Sequence, residues 1–210
     1  MRKFIGSLIV IALLALLTVF GLNIFKSVGP RTRENAPDGS QVVVEEMSYY
    51  IGGSKVFGRL YKPADENGNY PDSLGAKPVV IFFHEPLKTD FPESVIKSLV
   101  PEGLIGYVSG FRGKEKDIVS LVKRIRREKF TEPDMVFLIG DNSCGNEVVE
   151  AASKLGSRIQ GLVLIEPRLT GKANELYLRY GKEFLTIDSS SKGNAVPLIE
   201  DYLETRGALK

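Results

Sequence analysis

Short apolar runs alternate with amphipathic helical segments from Gln41 onward, and this alternation constrains the fold more than any other feature of the chain. The run Pro78–Phe83 is uninterrupted, as expected for a central strand covered on both faces. Strands separated by helices need crossovers, so the pattern predicts an α/β fold with a mostly parallel sheet flanked by helices. An antiparallel hairpin should precede it, because Val42–Val44 and Lys55–Tyr61 are joined through a glycine-rich turn.

Individual elements follow from the same periodicity. We predict strands and helices, in chain order, as follows: helix 94–99, strand 104–108, helix 116–128, strand 135–139, helix 147–155, strand 162–165, strand 184–187 and helix 196–205. No internal repeat is present.

The amino terminus is apolar and uncharged from Phe4 to Phe25, after Arg2 and Lys3. At about 1.5 Å per residue this run can cross roughly 30 Å of hydrocarbon, which favours an uncleaved signal anchor. A cleaved signal peptide is the alternative, although the run is long and lacks an Ala-x-Ala site. We therefore predict an anchor at 1–26, a linker at 27–40 and one domain at 41–210. The expected location is a single-pass membrane protein whose domain lies outside the cytoplasm.

The overall charge does not favour one class of binding partner over another, since 28 Lys and Arg residues nearly balance 26 Asp and Glu residues. Nothing in it indicates a nucleic-acid partner. The basic run 123–129 lies on a helical pattern and is typical of a solvated outer face, with an anion or lipid contact as the alternative. One cysteine and one histidine exclude a disulfide and a cysteine-rich zinc site, and we expect neither a metal nor a cofactor.

The residues resemble the α/β-hydrolase family of esterases, lipases and peptidases from about Val42 to Tyr202. The resemblance rests on several stretches taken together: 58–63, the strand that ends at His84, 110–113, Pro133-Asp134, the turn 140–145 and 161–167. It implies a Gly-x-Ser-x-Gly turn that presents a serine nucleophile, a backbone oxyanion hole, an acid and a base histidine.

Two alignments of that turn remain open. An ungapped match places Asn142 at the nucleophile position and Cys144 at the following glycine, after Gly140. A shift of one residue places Ser143 there, with Gly145 matched, but Asp141 then replaces the first glycine. Otherwise Ser143 is a polar turn residue or a helix cap, and Cys144 is a small buried residue.

The other family positions also depart from the pattern. His84-Glu85-Pro86 stands where the family has His-Gly, and a carboxylate there would oppose an oxyanion. His84 matches a histidine that shapes this loop, and a Ser143–His84 pair is the alternative. Asp188 lies near the place of the acid. In the family a further strand and the base histidine follow the last helix, whereas this chain ends at Lys210.

Two functions remain on this evidence. The first is a membrane-anchored, catalytically degenerate α/β-hydrolase-like domain, a pseudoenzyme or shortened enzyme, that binds a small ester-like ligand or a protein partner at the former cleft. The second is an active carboxylic-ester hydrolase using Ser143, with His84 or an external base and with Asp188 or Asp141 assisting.

Overall fold

A computed structural model describes residues 26–65, 67, 69–70, 75–85, 90–111, 114–180 and 183–209. Residues 1–25 of the predicted anchor lie outside the described residues, as does Pro86, whereas Lys26 begins the first strand. Among the described residues, no helix is long and apolar enough to cross a membrane.

Five strands come first among the described elements, and from the fifth strand onward strands and helices alternate. The strands are β1 Lys26–Asn35, β2 Gln41–Ile51, β3 Ser54–Val56, β4 Gly58–Pro63, β5 Lys77–His84, β6 Ile105–Gly110, β7 Thr131–Gly140, β8 Gly161–Ile165 and β9 Leu185–Ile187. The helices are α1 Phe91–Leu99, α2 Glu115–Ile125, α3 Gly145–Leu155, α4 Gly171–Tyr180 and α5 Ala195–Thr205.

All of these strands join one sheet in the order β1-β2-β4-β6-β5-β7-β8-β9, with β3 paired to β2. The pairs within β6-β5-β7-β8-β9 are all parallel, whereas β1, β2, β3 and β4 pair antiparallel, including β4 with β6. The predicted parallel sheet, flanking helices and amino-terminal antiparallel hairpin are therefore confirmed for this part of the chain.

Two apolar cores cover the two faces of the sheet. Alternate residues of β5 point to opposite sides, so Val79, Ile81 and Phe83 pack with α2, α3 and α4, while Val80 and Phe82 pack with α1 and α5. Both faces of the sheet are buried, which explains why the central strands are continuous apolar runs without polar alternation.

Two elements differ from the sequence predictions. The polar segment expected as a linker at 27–40 contains β1, whose residues Lys26–Asn35 pair along β2. Its exposed, charged side chains suit an edge strand, and this is why composition alone suggested a linker. Helix α4 was not predicted, because only Ala173 of this helix is fully buried and its apolar periodicity is weak.

Candidate functional site

The carboxyl ends of β5 and β7 bring the predicted site residues together. The two strands are parallel neighbours, with Phe83 opposite Gly140, so the loops that follow them meet at one edge of the sheet. His84 and Glu85 end the first strand, and Asp141 to Cys144 form the turn between the second strand and α3. This is the edge at which parallel α/β sheets usually bind ligands.

The Ser143 hydroxyl lies between a carboxylate and a backbone amide. Its Oγ donates to Asp141 Oδ1 at 2.5 Å and accepts from the Glu85 N–H at 3.0 Å. The Ser143 N–H also donates to Asp141 Oδ1, at 3.0 Å, which closes an Asx turn. Ser143 therefore contacts the loop after β5, although both Asn142 and Ser143 are exposed to solvent.

His84 does not join this arrangement in the described residues. Its Nδ1 donates to the Glu85 carbonyl oxygen at 2.8 Å, and its ring packs edge-on against Phe82. The His84 carbonyl accepts from the Phe111 N–H at 2.8 Å, which ties the end of β5 to the end of β6. The histidine thus braces the loop, and no hydrogen bond joins it to Ser143.

The backbone of the turn is relaxed. Glu166 is the only non-glycine residue with a positive φ in the part of the chain that the structure describes, so neither Asn142 nor Ser143 adopts the left-handed conformation. Strained φ values are common at catalytic turns, and this turn lacks that strain. The glycine at position 140 is explained by packing, because a Cβ there would lie 3.1 Å from the Val148 side chain of α3.

Cys144 is a buried side chain at the start of α3. It is 3% exposed, and burial raises the pKa of its thiol to about 12. Its Sγ lies 3.7 Å from Ser143 Oγ and 4.0 Å from the Phe111 carbonyl oxygen. This environment disfavours the thiolate, which is the nucleophilic form of cysteine.

We expect Cys144 to react slowly with a soluble disulfide reagent in the folded protein, because at pH 8 only about one thiol in ten thousand is ionised. The native rate should keep rising about tenfold per pH unit from pH 7 to pH 10, whereas an ordinary thiol levels off near its pKa of about 8.5. Stopped-flow absorbance measures both rates, with the unfolded chain as control. Fast stoichiometric labelling of the native protein at pH 7 contradicts this assignment.

Asp188 and Glu166 lie on loops at the same edge of the sheet, after β9 and β8. Hydrogen bonds from Ser190 Oγ and the Ser191 N–H lower the pKa of Asp188, whose carboxylate caps this turn. Glu166 has a φ of 49° and pairs with Lys192 at 2.5 Å, a contact that lowers its pKa. Sequence reasoning missed Glu166 as a site residue, and it gave Asp141 only an assisting role.

A cleft of about 370 Å³ opens beside His84 at the same edge of the sheet. Its walls include Glu46, Ser48, Arg59 and Glu93, and Arg59 donates to Glu93 at 2.5 Å. Another cavity, of about 390 Å³, lies near Gly161 at the amino end of β8, away from the predicted residues. No group of three or more metal-binding side chains was found within the described ranges.

Comparison with solved structures shows which fold this is. A cold-adapted esterase from an Arctic intertidal metagenomic library superposes with a TM-score of 0.58 and 16% identity, over 88% of this chain and all of that chain. An acetyl xylan esterase from Paenibacillus sp. R4 gives a TM-score of 0.51 and 14% identity, over 75% of this chain. This chain spans 63% of the length of that second esterase.

Neither a protein-family model nor a curated protein matches the sequence. Identities this low establish the fold alone. The sheet order, the two covered faces and the placement of the loops after β5 and β7 agree with the same conclusion. This chain therefore has an α/β-hydrolase-like fold.

Proposed function

We propose that this chain is a membrane-anchored α/β-hydrolase-like domain that does not catalyse ester hydrolysis and instead binds a ligand or partner at the carboxyl edge of its sheet. The observation that carries the proposal is the hydrogen bond from the Glu85 backbone N–H to the Ser143 hydroxyl. Ser143 Oγ accepts, at 3.0 Å, from the same N–H group that an oxyanion would need as a donor.

The electrostatics of the site support the same proposal. Serine acts as a nucleophile when a neighbouring base takes its proton, and the group bonded to Ser143 is the Asp141 carboxylate at 2.5 Å. A carboxylate is a much weaker base than an imidazole. The exposed Glu85 side chain adds a second carboxylate beside the position where negative charge would develop.

The ligand side of the proposal rests on the cleft beside His84. Its walls carry both signs of charge, with Arg59 bonded to Glu93 and Glu34. A small polar ligand with its own charged group could exchange contacts with this network.

The proposed membrane anchor rests on the apolar run Phe4–Phe25. It is tested by whether the full chain stays with membranes after alkaline carbonate extraction.

The test of the catalytic part is labelling by a fluorophosphonate probe. We expect the full chain to remain unlabelled, alongside an active serine esterase that labels under the same conditions, and to release no nitrophenol from a short-chain ester above the background of Ser143→Ala. Ser153→Ala is the matched control, because Ser153 is an exposed serine whose Oγ donates to the Glu150 carbonyl oxygen of its own helix.

The second candidate function is an active ester hydrolase. One observation favours it: Ser143 lies against the loop that supplies an oxyanion donor in the family it resembles, so a rotation of its side chain about χ1 would move Oγ away and free the Glu85 N–H. Labelling that is lost in Ser143→Ala and retained in Ser153→Ala would establish this alternative and overturn the proposal.

A further inference from the structure

A basic surface lies at the end of the domain opposite the candidate site. Lys123 lies in the last turn of α2, Arg127 lies in the turn that follows it, and Arg158 lies in the turn before β8. With Arg126 and Pro133 they line a cleft of about 440 Å³. We call these four cations, Lys123, Arg126, Arg127 and Arg158, the basic face.

Most of this charge is not neutralised by the protein itself. Lys123, Arg127 and Arg158 are exposed, and within the described ranges no carboxylate pairs with any of them. Arg126 differs, since its Nε donates to the Pro133 carbonyl at 2.6 Å and it pairs with Asp134 at 3.3 Å. Glu132 is a nearby exposed carboxylate, but the cations outnumber the carboxylates.

The chain leaves the apolar amino-terminal segment beside this face. Lys26 directly follows Phe25, and its Nζ lies 2.7 Å from Glu128 Oε2. Glu128 comes immediately after Arg126 and Arg127, and it also accepts from Tyr49 Oη at 3.1 Å. The side chain of Lys26 therefore reaches the turn that follows Arg126 and Arg127, while its backbone pairs with Tyr49 of β2.

We propose that the basic face docks on the anionic headgroups of the membrane that holds the amino-terminal segment. The chemistry is that of clustered Lys and Arg residues next to a membrane segment, which bind acidic lipids. This inference rests on the membrane anchoring in the proposed function, but it is independent of catalysis.

The test uses the full chain in nanodiscs of phosphatidylcholine, with or without about one-third phosphatidylglycerol, a composition chosen for its surface charge. A fluorophore is attached at Ser157→Cys, next to the basic face, and separately at Ser189→Cys, on the loop after β9. Buried Cys144 does not compete for the maleimide. A quencher on the lipid headgroup reports proximity.

We expect phosphatidylglycerol to increase quenching at position 157 and leave position 189 unchanged. The variant Lys123→Gln, Arg127→Gln, Arg158→Gln should lower the docking constant about a hundredfold, at roughly fivefold per cation, and remove the increase. The control variant Lys116→Gln, Arg168→Gln, Lys172→Gln removes the same number of charges from exposed positions at the candidate-site end of the domain. It should retain the phosphatidylglycerol-dependent increase in quenching. About 0.5 M salt should also abolish the increase.

Equal quenching in both lipids, or equal loss in the two triple variants, overturns the proposal. Co-elution of the chain with both kinds of nanodisc tests anchoring separately. A chain that co-elutes without lipid-dependent quenching retains the anchor and refutes the docking, whereas a chain that elutes free refutes the anchoring on which both rest.

Discussion

Replacing Gly106 with alanine should destabilise the protein by about 3 kcal/mol, because the added methyl group has no space. Gly106 lies in the central strand β6, and a Cβ there would come within 2.1 Å of Ile96 Cγ2. Ile96 is fully buried in α1 between the helix and the sheet, so it cannot move aside without shifting the helix. Urea unfolding followed by circular dichroism measures the change.

A double-mutant cycle identifies the clash as the cause. Ile96→Ala alone should cost about 2–5 kcal/mol as a cavity, but in the double variant the new methyl group partly fills that cavity. The double variant should therefore be more stable than the sum of the single changes by at least about 1 kcal/mol. Gly193→Ala is the control, since a Cβ there meets nothing within 4 Å and should have little effect. Additive costs for Gly106 and Ile96 would contradict the steric explanation.

Lys62→Met should destabilise the protein by about 3–5 kcal/mol, because it leaves a buried carboxylate without its closest buried partner. Lys62 Nζ bonds to Glu45 Oε2 at 3.1 Å, and the two side chains are 8% and 3% exposed. Arg31 lies 2.5 Å from the other oxygen, but it is 68% exposed and its geometry forms no hydrogen bond. Its charge compensates only in part.

The double change Glu45→Leu, Lys62→Met should recover most of the loss, because two apolar side chains need no partner. Lys154→Met is the matched control: its pair with Glu115, at 2.7 Å, is largely exposed and should contribute less than about 1 kcal/mol. Thermal and urea unfolding measure all three variants against the unchanged protein. A Lys62→Met protein as stable as Lys154→Met would show that Glu45 is effectively solvated in the folded state.

Both predictions concern groups that were inconspicuous in the sequence. Gly106 is one of 21 glycines, and Glu45 and Lys62 are charged residues of types that are usually exposed. Their importance arises from contacts between different elements, α1 with β6 and β2 with β4.

The sequence alone was sufficient to predict the parallel sheet and helices α1, α2, α3 and α5. Their apolar spacing reflects burial on one face or both, and burial is a property that periodicity records directly. It was insufficient for β1, whose charged edge residues owe their conformation to pairing with β2. It was insufficient also for α4, which buries too little to leave a pattern.

The same division applies to the candidate site. From the sequence, the resemblance selected His84, Glu85 and the turn from Gly140 to Gly145, and it left open whether Asn142 or Ser143 stands at the nucleophile position. Only the tertiary structure decided which groups touch: Ser143 bonds to Asp141 and to the Glu85 N–H, and His84 turns to a backbone carbonyl. The physical reason is that hydrogen bonds depend on distances of a few tenths of an ångström between loops 58 residues apart, and no local pattern encodes such distances.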